Sequence, residues 1–153
     1  MTAVTLPAAF ADLPGVTGVR ASANSLRIDL DHLEPAALAA AVARLGLRLG
    51  AVTGTPLAPE GETEMVYHFV ALDRLVDVAV VSRGRSLPSL APHLKPAVWA
   101  EREIHDLFDV AFPGHPDLSP LMRPEGFATG MMRGPMCGAR RPSAPVPAAD
   151  LSE

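Results

Sequence analysis

One cysteine, Cys137, stands in the 153 residues of the chain. A lone thiol closes no internal disulfide and cannot hold an iron–sulfur cluster, which takes several thiolates, so a reducing compartment is the default expectation. Aromatic residues are scarce as well, with one Trp, one Tyr and five Phe. A core must therefore be built mainly from Leu, Val and Ala. There is no excess of positive charge: thirteen Lys and Arg against seventeen Asp and Glu give −4. That balance argues against a phosphate-backbone binder, and nucleic acid is not expected as a partner. No apolar stretch approaches the ~18 residues of a membrane span. Met1-Thr-Ala-Val-Thr-Leu-Pro7 has no basic region ahead of an apolar run, so a soluble protein is expected, attached to a membrane only through partners.

Nucleotide cradles are missing too. Gly15-Val-Thr-Gly18 lacks the third glycine and the following helix of a dinucleotide fingerprint, and the turns at Gly54 and Gly61 lack the lysine of a phosphate loop. His115-Pro-Asp117 has the spacing of half an iron(II) triad, but no histidine follows it, and His-Glu-x-x-His does not occur. His68 stands in an apolar strand without a neighbouring Cys or carboxylate and reads as a satisfied histidine rather than a ligand. Cys137, in a Met-Cys-Gly context, reads as an idle thiol. No catalytic, cofactor-binding or metal-ligating residue is expected in the chain.

What is present is enough apolar side chain, 48% of the residues, to bury one domain's core. Ala8 to Leu13 could form one or two helical turns before Pro14-Gly15. Residues 18–20 and Leu26-Arg-Ile-Asp-Leu30 predict a half-buried hairpin, because Leu26, Ile28 and Leu30 alternate with Arg27 and Asp29. Pro35 suits the first position of a helix whose Leu38, Ala41, Val42 and Leu45 recur at helical spacing until Gly46 stops it. A strand is expected over Leu47 to Thr53, then turn chemistry from Gly54 to Gly61. Met65–Leu72 and Leu75–Ser82 should pair antiparallel across Asp73-Arg74, and both faces of this pair look apolar enough to be covered. A Pro-punctuated link through Pro88, Pro92 and Pro96 follows. From Ala128 the composition shifts to Met, Arg and Pro without aromatics, predicting a tail over 128–153 that is flexible or ordered by a partner.

The densest chemistry lies from Trp99 to Leu118. On a helix over 97–108, Ala97, Ala100, Ile104, Leu107 and Phe108 form one apolar stripe. Trp99, Arg102, Glu103 and Asp106 then share another face, and Trp and Arg are the favoured anchors of protein interfaces. The carboxylates Glu101, Glu103, Asp106, Asp109 and Asp117 invite an acid/base reading. The plainer reading pairs Glu101 with His105 and Arg102 with Asp106 at i, i+4, each worth a few tenths of a kcal/mol. Pro113 and Pro116 with a positive φ at Gly114 would make the following loop rigid, with His115 and Asp117 bonding backbone groups.

Glu101-Arg-Glu-Ile-His-Asp-Leu-Phe108, Phe112-Pro-Gly-His-Pro-Asp-Leu118 and Arg123-Pro-Glu-Gly-Phe127 together resemble the motif of the C subunit family of NADH-quinone oxidoreductase, respiratory complex I. The same module occurs in membrane-bound nickel–iron hydrogenases and formate hydrogenlyases. The run Glu101 to Asp106 and the short length are a little more similar to the hydrogenase-associated versions, while the motif order fits both. Asp109 replaces the family's usual glycine, Ser119-Pro120 stands where arginines are common, and the tail departs from a Pro-Leu-Arg-Lys-Asp ending. The resemblance implies an α+β domain over 1–127, with a mixed or antiparallel sheet of four to five strands packed against helices. It implies a non-catalytic peripheral-arm subunit on the cytoplasmic side of the membrane. Its partners would be a large catalytic subunit, quinone-reducing or nickel–iron, and a neighbouring iron–sulfur subunit. Iron–sulfur clusters and the quinone or nickel–iron centre would lie in those partners, with no cofactor in this chain. The residues expected to meet a partner are Trp99, Glu101, Arg102, Glu103, Asp106, Phe108, His115, Pro116, Asp117 and Arg123. The rival expectation is a small autonomous enzyme, metal- or acid/base-dependent, using Glu103, Asp106 and His115.

Overall fold

The computed structural model describes residues 10, 12–57, 61–71 and 74–133. Five strands, β1 (Val16–Ala21), β2 (Ser25–Leu30), β3 (Arg48–Leu57), β4 (Glu62–Val70) and β5 (Leu75–Val81), form one sheet in the order β1-β2-β5-β4-β3. The β1–β2, β3–β4 and β4–β5 pairs are antiparallel and β2–β5 is parallel, so the sheet is mixed and the fold is α+β. Helix α1 (Pro35–Arg44) carries the chain from β2 to the far edge at β3, and the two following hairpins bring β5 back beside β2.

Period-2 patterning decides which face is inside. Leu26, Ile28 and Leu30 stand opposite Val76, Val78 and Val80, which in turn stand opposite Phe69, Tyr67 and Met65. All nine side chains are buried in one cluster with Leu38, Ala41 and Val42 of α1. The start and stop of α1 are as the sequence implies. Pro35 opens it, and Gly46 at φ +63° sends its N–H to Ala43 O while the Leu47 N–H reaches Val42 O, the double bond of a Schellman ending.

The other face of the sheet, expected to be covered over the β4–β5 pair, is covered in part: Val66 and Ala79 are buried there, and polar and charged side chains surround them. Arg20, Asp29, Arg27 and Glu64 form a chain of ion pairs across it at 2.5–2.9 Å. Beside them His68 bonds Asp77 at 2.7 Å through Nδ1 and meets the Thr53 hydroxyl through Nε2. Val70 is 40% exposed. His68 is thus satisfied by cross-strand neighbours, one of them a carboxylate that lies nine positions away in the sequence. The turn expected from Gly54 is also corrected, because β3 continues through Leu57. Pro56 is tolerated there because β3 is an edge strand, where a missing N–H breaks no ladder.

Helix α2 (Ala97–Phe108) lies over β3 and buries Ala97, Ile104 and Phe108 in the core. The contact needs Gly54: a Cβ there would sit 2.8 Å from Ile104 Cδ1 and 3.0 Å from the Phe108 ring. Gly54→Val is therefore expected to push α2 off the sheet and cost about 1–3 kcal/mol of stability, read from urea unfolding. Of the short N-terminal helix expected over 8–13, Phe10 and Leu13 are buried, while Ala8, Ala9 and Ala11 lie outside the described residues.

Candidate functional site

Helix α2 positions most of the residues that the sequence motif picks out, and the structure divides them into two sets. Glu101 and Asp106 are fully buried. Glu101 accepts from the Ser89 hydroxyl at 2.5 Å, the Leu90 N–H at 2.8 Å and the Tyr67 hydroxyl at 3.5 Å. Burial pushes its carboxyl above the ordinary value, against the pull of Ser89 and Leu90. Burial, followed by the neighbouring Glu101, likewise lifts the Tyr67 phenol well above its usual range. Glu101 thereby fastens the Pro-rich link before α2 to the helix itself.

Asp106 organises the segment after the helix. Its Oδ2 accepts backbone N–H groups from Leu121 and Met122 at 2.7 Å and Arg123 at 3.3 Å, and its Oδ1 takes Arg123 Nε at 3.0 Å. Burial alone would raise this carboxyl. The three N–H donors and the guanidinium outweigh it and hold Asp106 below its ordinary value. Arg102 lies on the same side and donates to the Ser119 carbonyl at 3.0–3.1 Å and to the Pro120 carbonyl at 3.3 Å. The expected Glu101–His105 and Arg102–Asp106 pairs are accordingly replaced. Clusters of charge-assisted bonds to neighbouring loops outweigh single pairs on a helix surface.

The loop after α2 is held by side chains bonding to backbone, as the sequence implies. His115 is buried at its side chain, and its Nε2 lies 3.0 Å from the Val98 carbonyl. A carbonyl only accepts, so Nε2 carries a proton, while Nδ1 accepts the Asp117 N–H at 3.0 Å. Asp117 then accepts the Ser119 N–H at 2.8 Å. The Ser119 N–H and hydroxyl hold the Asp117 carboxyl below its usual value. Gly114 adopts φ +88° between the two prolines.

The chain continues back onto the end of α2. Gly130 and Met132 donate their N–H groups to the Asp106 and Leu107 carbonyls, both at 2.8 Å, where a helix end would otherwise leave acceptors unpaired. The composition change at Ala128 is therefore not where packing ends. Residues 129–133 are bonded to the domain, and the remainder of the expected tail, with Cys137, lies outside the described residues.

Trp99 is left uncovered, at 67% exposure. It borders a groove of about 570 Å³ between the β3 bulge and the post-helix loop, lined by Ala51, Val52, Trp99, Glu103, Leu121 and Met122 among others. Met122, Phe127, Met131 and Met132 are exposed as well. Large apolar side chains left exposed on a small domain, two of them in one groove, are interface chemistry. Among the described residues no group of three or more His, Cys, Asp or Glu side chains could hold a metal ion. No described helix is long and apolar enough to cross a membrane.

Residues 26–137 match the family described as respiratory-chain NADH dehydrogenase, 30 kDa subunit, over more than half of the chain. The chain belongs to this family. Among curated relatives, the C/D subunit of NADH-quinone oxidoreductase from Aeromonas salmonicida is 36% identical over 73 residues, 45% of this chain. Its counterpart from Methylococcus capsulatus is 39% identical over 70 residues, 43% of this chain. Each alignment spans only 12% of the relative's length. Among solved structures, the trypsin-resistant fragment of Nqo5 is similar with a TM-score of 0.56 and 25% identity, covering 66% of this chain and 89% of that one. A chain of the membrane-bound sulfane sulfur reductase, an archaeal respiratory membrane complex, shares the fold at a TM-score of 0.62 and 20% identity, over 73% and 70% of the two chains.

Asp109 stands at the end of α2, at the position where the sequence motif led one to expect glycine. This C-cap residue adopts the left-handed conformation, φ 57° and ψ 39°, which glycine fits without strain and Asp tolerates better than most residues. Its carboxylate takes Arg85 at 2.8 Å, the Thr129 hydroxyl at 2.5 Å and Arg133 at 3.3 Å. Asp109 is therefore an anchor for the segment that returns over α2. Of the ten residues expected to meet a partner, Glu101, Asp106, Phe108 and the His115 side chain are turned inward, and Arg102 and Arg123 are largely committed to the chain's own loops. Trp99, Pro116 and Asp117 are exposed, and Glu103 is partly so. The groove-lining Leu121 and Met122 escape a reading of the sequence, although Met122, an apolar side chain beside Arg123 in a polar loop, is the signal that could have found them.

Proposed function

We propose that this chain is a non-catalytic peripheral-arm subunit of a complex-I-like oxidoreductase, docking on the large catalytic subunit beside an iron–sulfur subunit. The exposed indole of Trp99 at the rim of an apolar groove, on a member of the 30 kDa family, carries the reading. Two of the three residues of the rival enzymatic reading do structural work: Asp106 and His115 have their bonding capacity taken up by the chain's own backbone and by Arg123. Redox centres belong to the neighbours in this reading, and the domain attaches to the membrane through them. The C/D names of the curated relatives favour the NADH-quinone form. A nickel-binding large subunit in the same assembly would assign the hydrogenase form instead.

Trp99→Ala is expected to leave the unfolding midpoint of the isolated domain within about 0.5 kcal/mol, the range of surface substitutions. It should weaken retention of the large subunit by about 2 kcal/mol or more, the loss typical of an interface anchor. Affinity purification of the tagged chain from its own host, with quantification of the co-purifying large subunit, reads both the assembly and the effect. Purification of the wild-type chain alone, with stoichiometric zinc or iron and turnover of its own, would falsify the subunit reading.

A further inference from the structure

Resting on that docking reading, we propose that the groove beside Trp99 receives a cationic side chain, arginine or lysine, from the neighbouring subunit. The cation pairs with Glu103 and lies against the indole face. Among the described residues Glu103 is the one charged side chain lining the groove, and it has no hydrogen-bond or ion-pair partner there. The rest of the lining, including Ala51, Val52 and Leu121, is apolar. A partner that covered this groove with neutral or acidic groups would strand a carboxylate away from water, which is strongly unfavourable unless a cation comes with it. The chain does not supply that cation from its adjacent arginines. Arg102 is held by Ser119 and Asp117, and Arg123 by Asp106 and the Phe127 carbonyl. Lys95, exposed in the link two residues before α2, makes no ion pair with Glu103. The Trp99 ring, 67% exposed beside this carboxylate, completes the recognition, since a guanidinium or ammonium is drawn both to an aromatic face and to a carboxylate. Met122, 55% exposed, lines the same groove and offers a surface against which the aliphatic part of such a side chain would pack.

The test uses the full chain in its native complex, with Met122→benzoylphenylalanine introduced as a photo-crosslinker and the linked peptide identified by mass spectrometry. The expected product is a peptide of another subunit with arginine or lysine within a few residues of the link. Glu103→Gln should fold with an unchanged midpoint and lower retention of that subunit by about 30-fold or more, the loss for truncating one member of a buried charge pair. Glu103→Arg combined with an acidic residue at the linked cation should restore it. A link to a segment without a basic residue, a link to residues 134–153 of the same chain, or retention unaffected by Glu103→Gln overturns the inference while co-purification leaves the subunit reading intact. Failure of the wild-type chain to retain any other subunit overturns both.

Discussion

Asp106→Ala is expected to lower the unfolding free energy by about 3–5 kcal/mol, the loss associated with breaking a buried ion pair from one side. The substitution leaves the backbone N–H groups of Leu121, Met122 and Arg123 and the Arg123 guanidinium without their acceptor. For a chain of this length that corresponds to a fall of roughly 10 °C in Tm. Two further effects distinguish it from a simple loss of packing. The segment through Met122 and Phe127 should become protease-sensitive, because Asp106 is what orders its start. The stability difference between wild type and Asp106→Asn should also depend on pH with a definite sign. The folded carboxyl titrates below its ordinary value of 3.8, so its contribution is present in full above that value and is lost as pH falls through the lower, folded one. Urea unfolding at neutral pH and in increasingly acidic buffer should show the wild-type advantage over Asp106→Asn in full at the first and shrinking as pH falls below the ordinary carboxyl range.

Periodic features of the fold are legible in the residues themselves. Leu26, Ile28 and Leu30 alternate because one face of β2 is buried, and Leu38, Ala41 and Val42 recur because α1 crosses that same face. The limits of α2 also follow from its sequence, down to the last helical residue, Phe108. The fate of the charged side chains on α2 is not legible in the same way. A sequence shows a helix residue its neighbours at i±3 and i±4, and by that measure Glu101 belongs with His105 and Asp106 with Arg102. The partners they take lie at Ser89 and Leu90, and at Leu121 to Arg123, segments without periodicity whose approach depends on the tertiary fold. The end of β3 escapes for a related reason, since Gly54-Thr-Pro is turn chemistry unless the strand is known to lie at an edge with a helix pressed on its glycine. Trp99 faces outward as its position on the helix implies, on the side opposite Ala97, Ile104 and Phe108.

Glu101→Ala is expected to cost about 3 kcal/mol or more, because it opens a cavity and strands the Leu90 N–H and the Ser89 hydroxyl in the core. Glu101→Gln should cost far less, since an amide can still accept from Leu90 and donate to the Ser89 oxygen. Its pH behaviour is opposite to that of the Asp106 variants. Burial lifts the folded Glu101 carboxyl above its ordinary value of 4.5, so the group's favourable contribution is complete below that value and is lost as pH rises through the higher, folded one. Wild type should therefore lose stability relative to Glu101→Gln across that window, as Asp106 becomes fully ionised and reaches its full stabilising effect. Two carboxylates five positions apart on one helix thus titrate apart. One is surrounded by enough charged and backbone donors to favour its ionised form, and the other is buried where fewer donors leave desolvation dominant. Parallel pH–stability profiles for the Asn and Gln variants would contradict this assignment. Divergence in opposite directions would show Asp106 as the ionised anchor of the loop after α2 and Glu101 as a polar strut inside the domain.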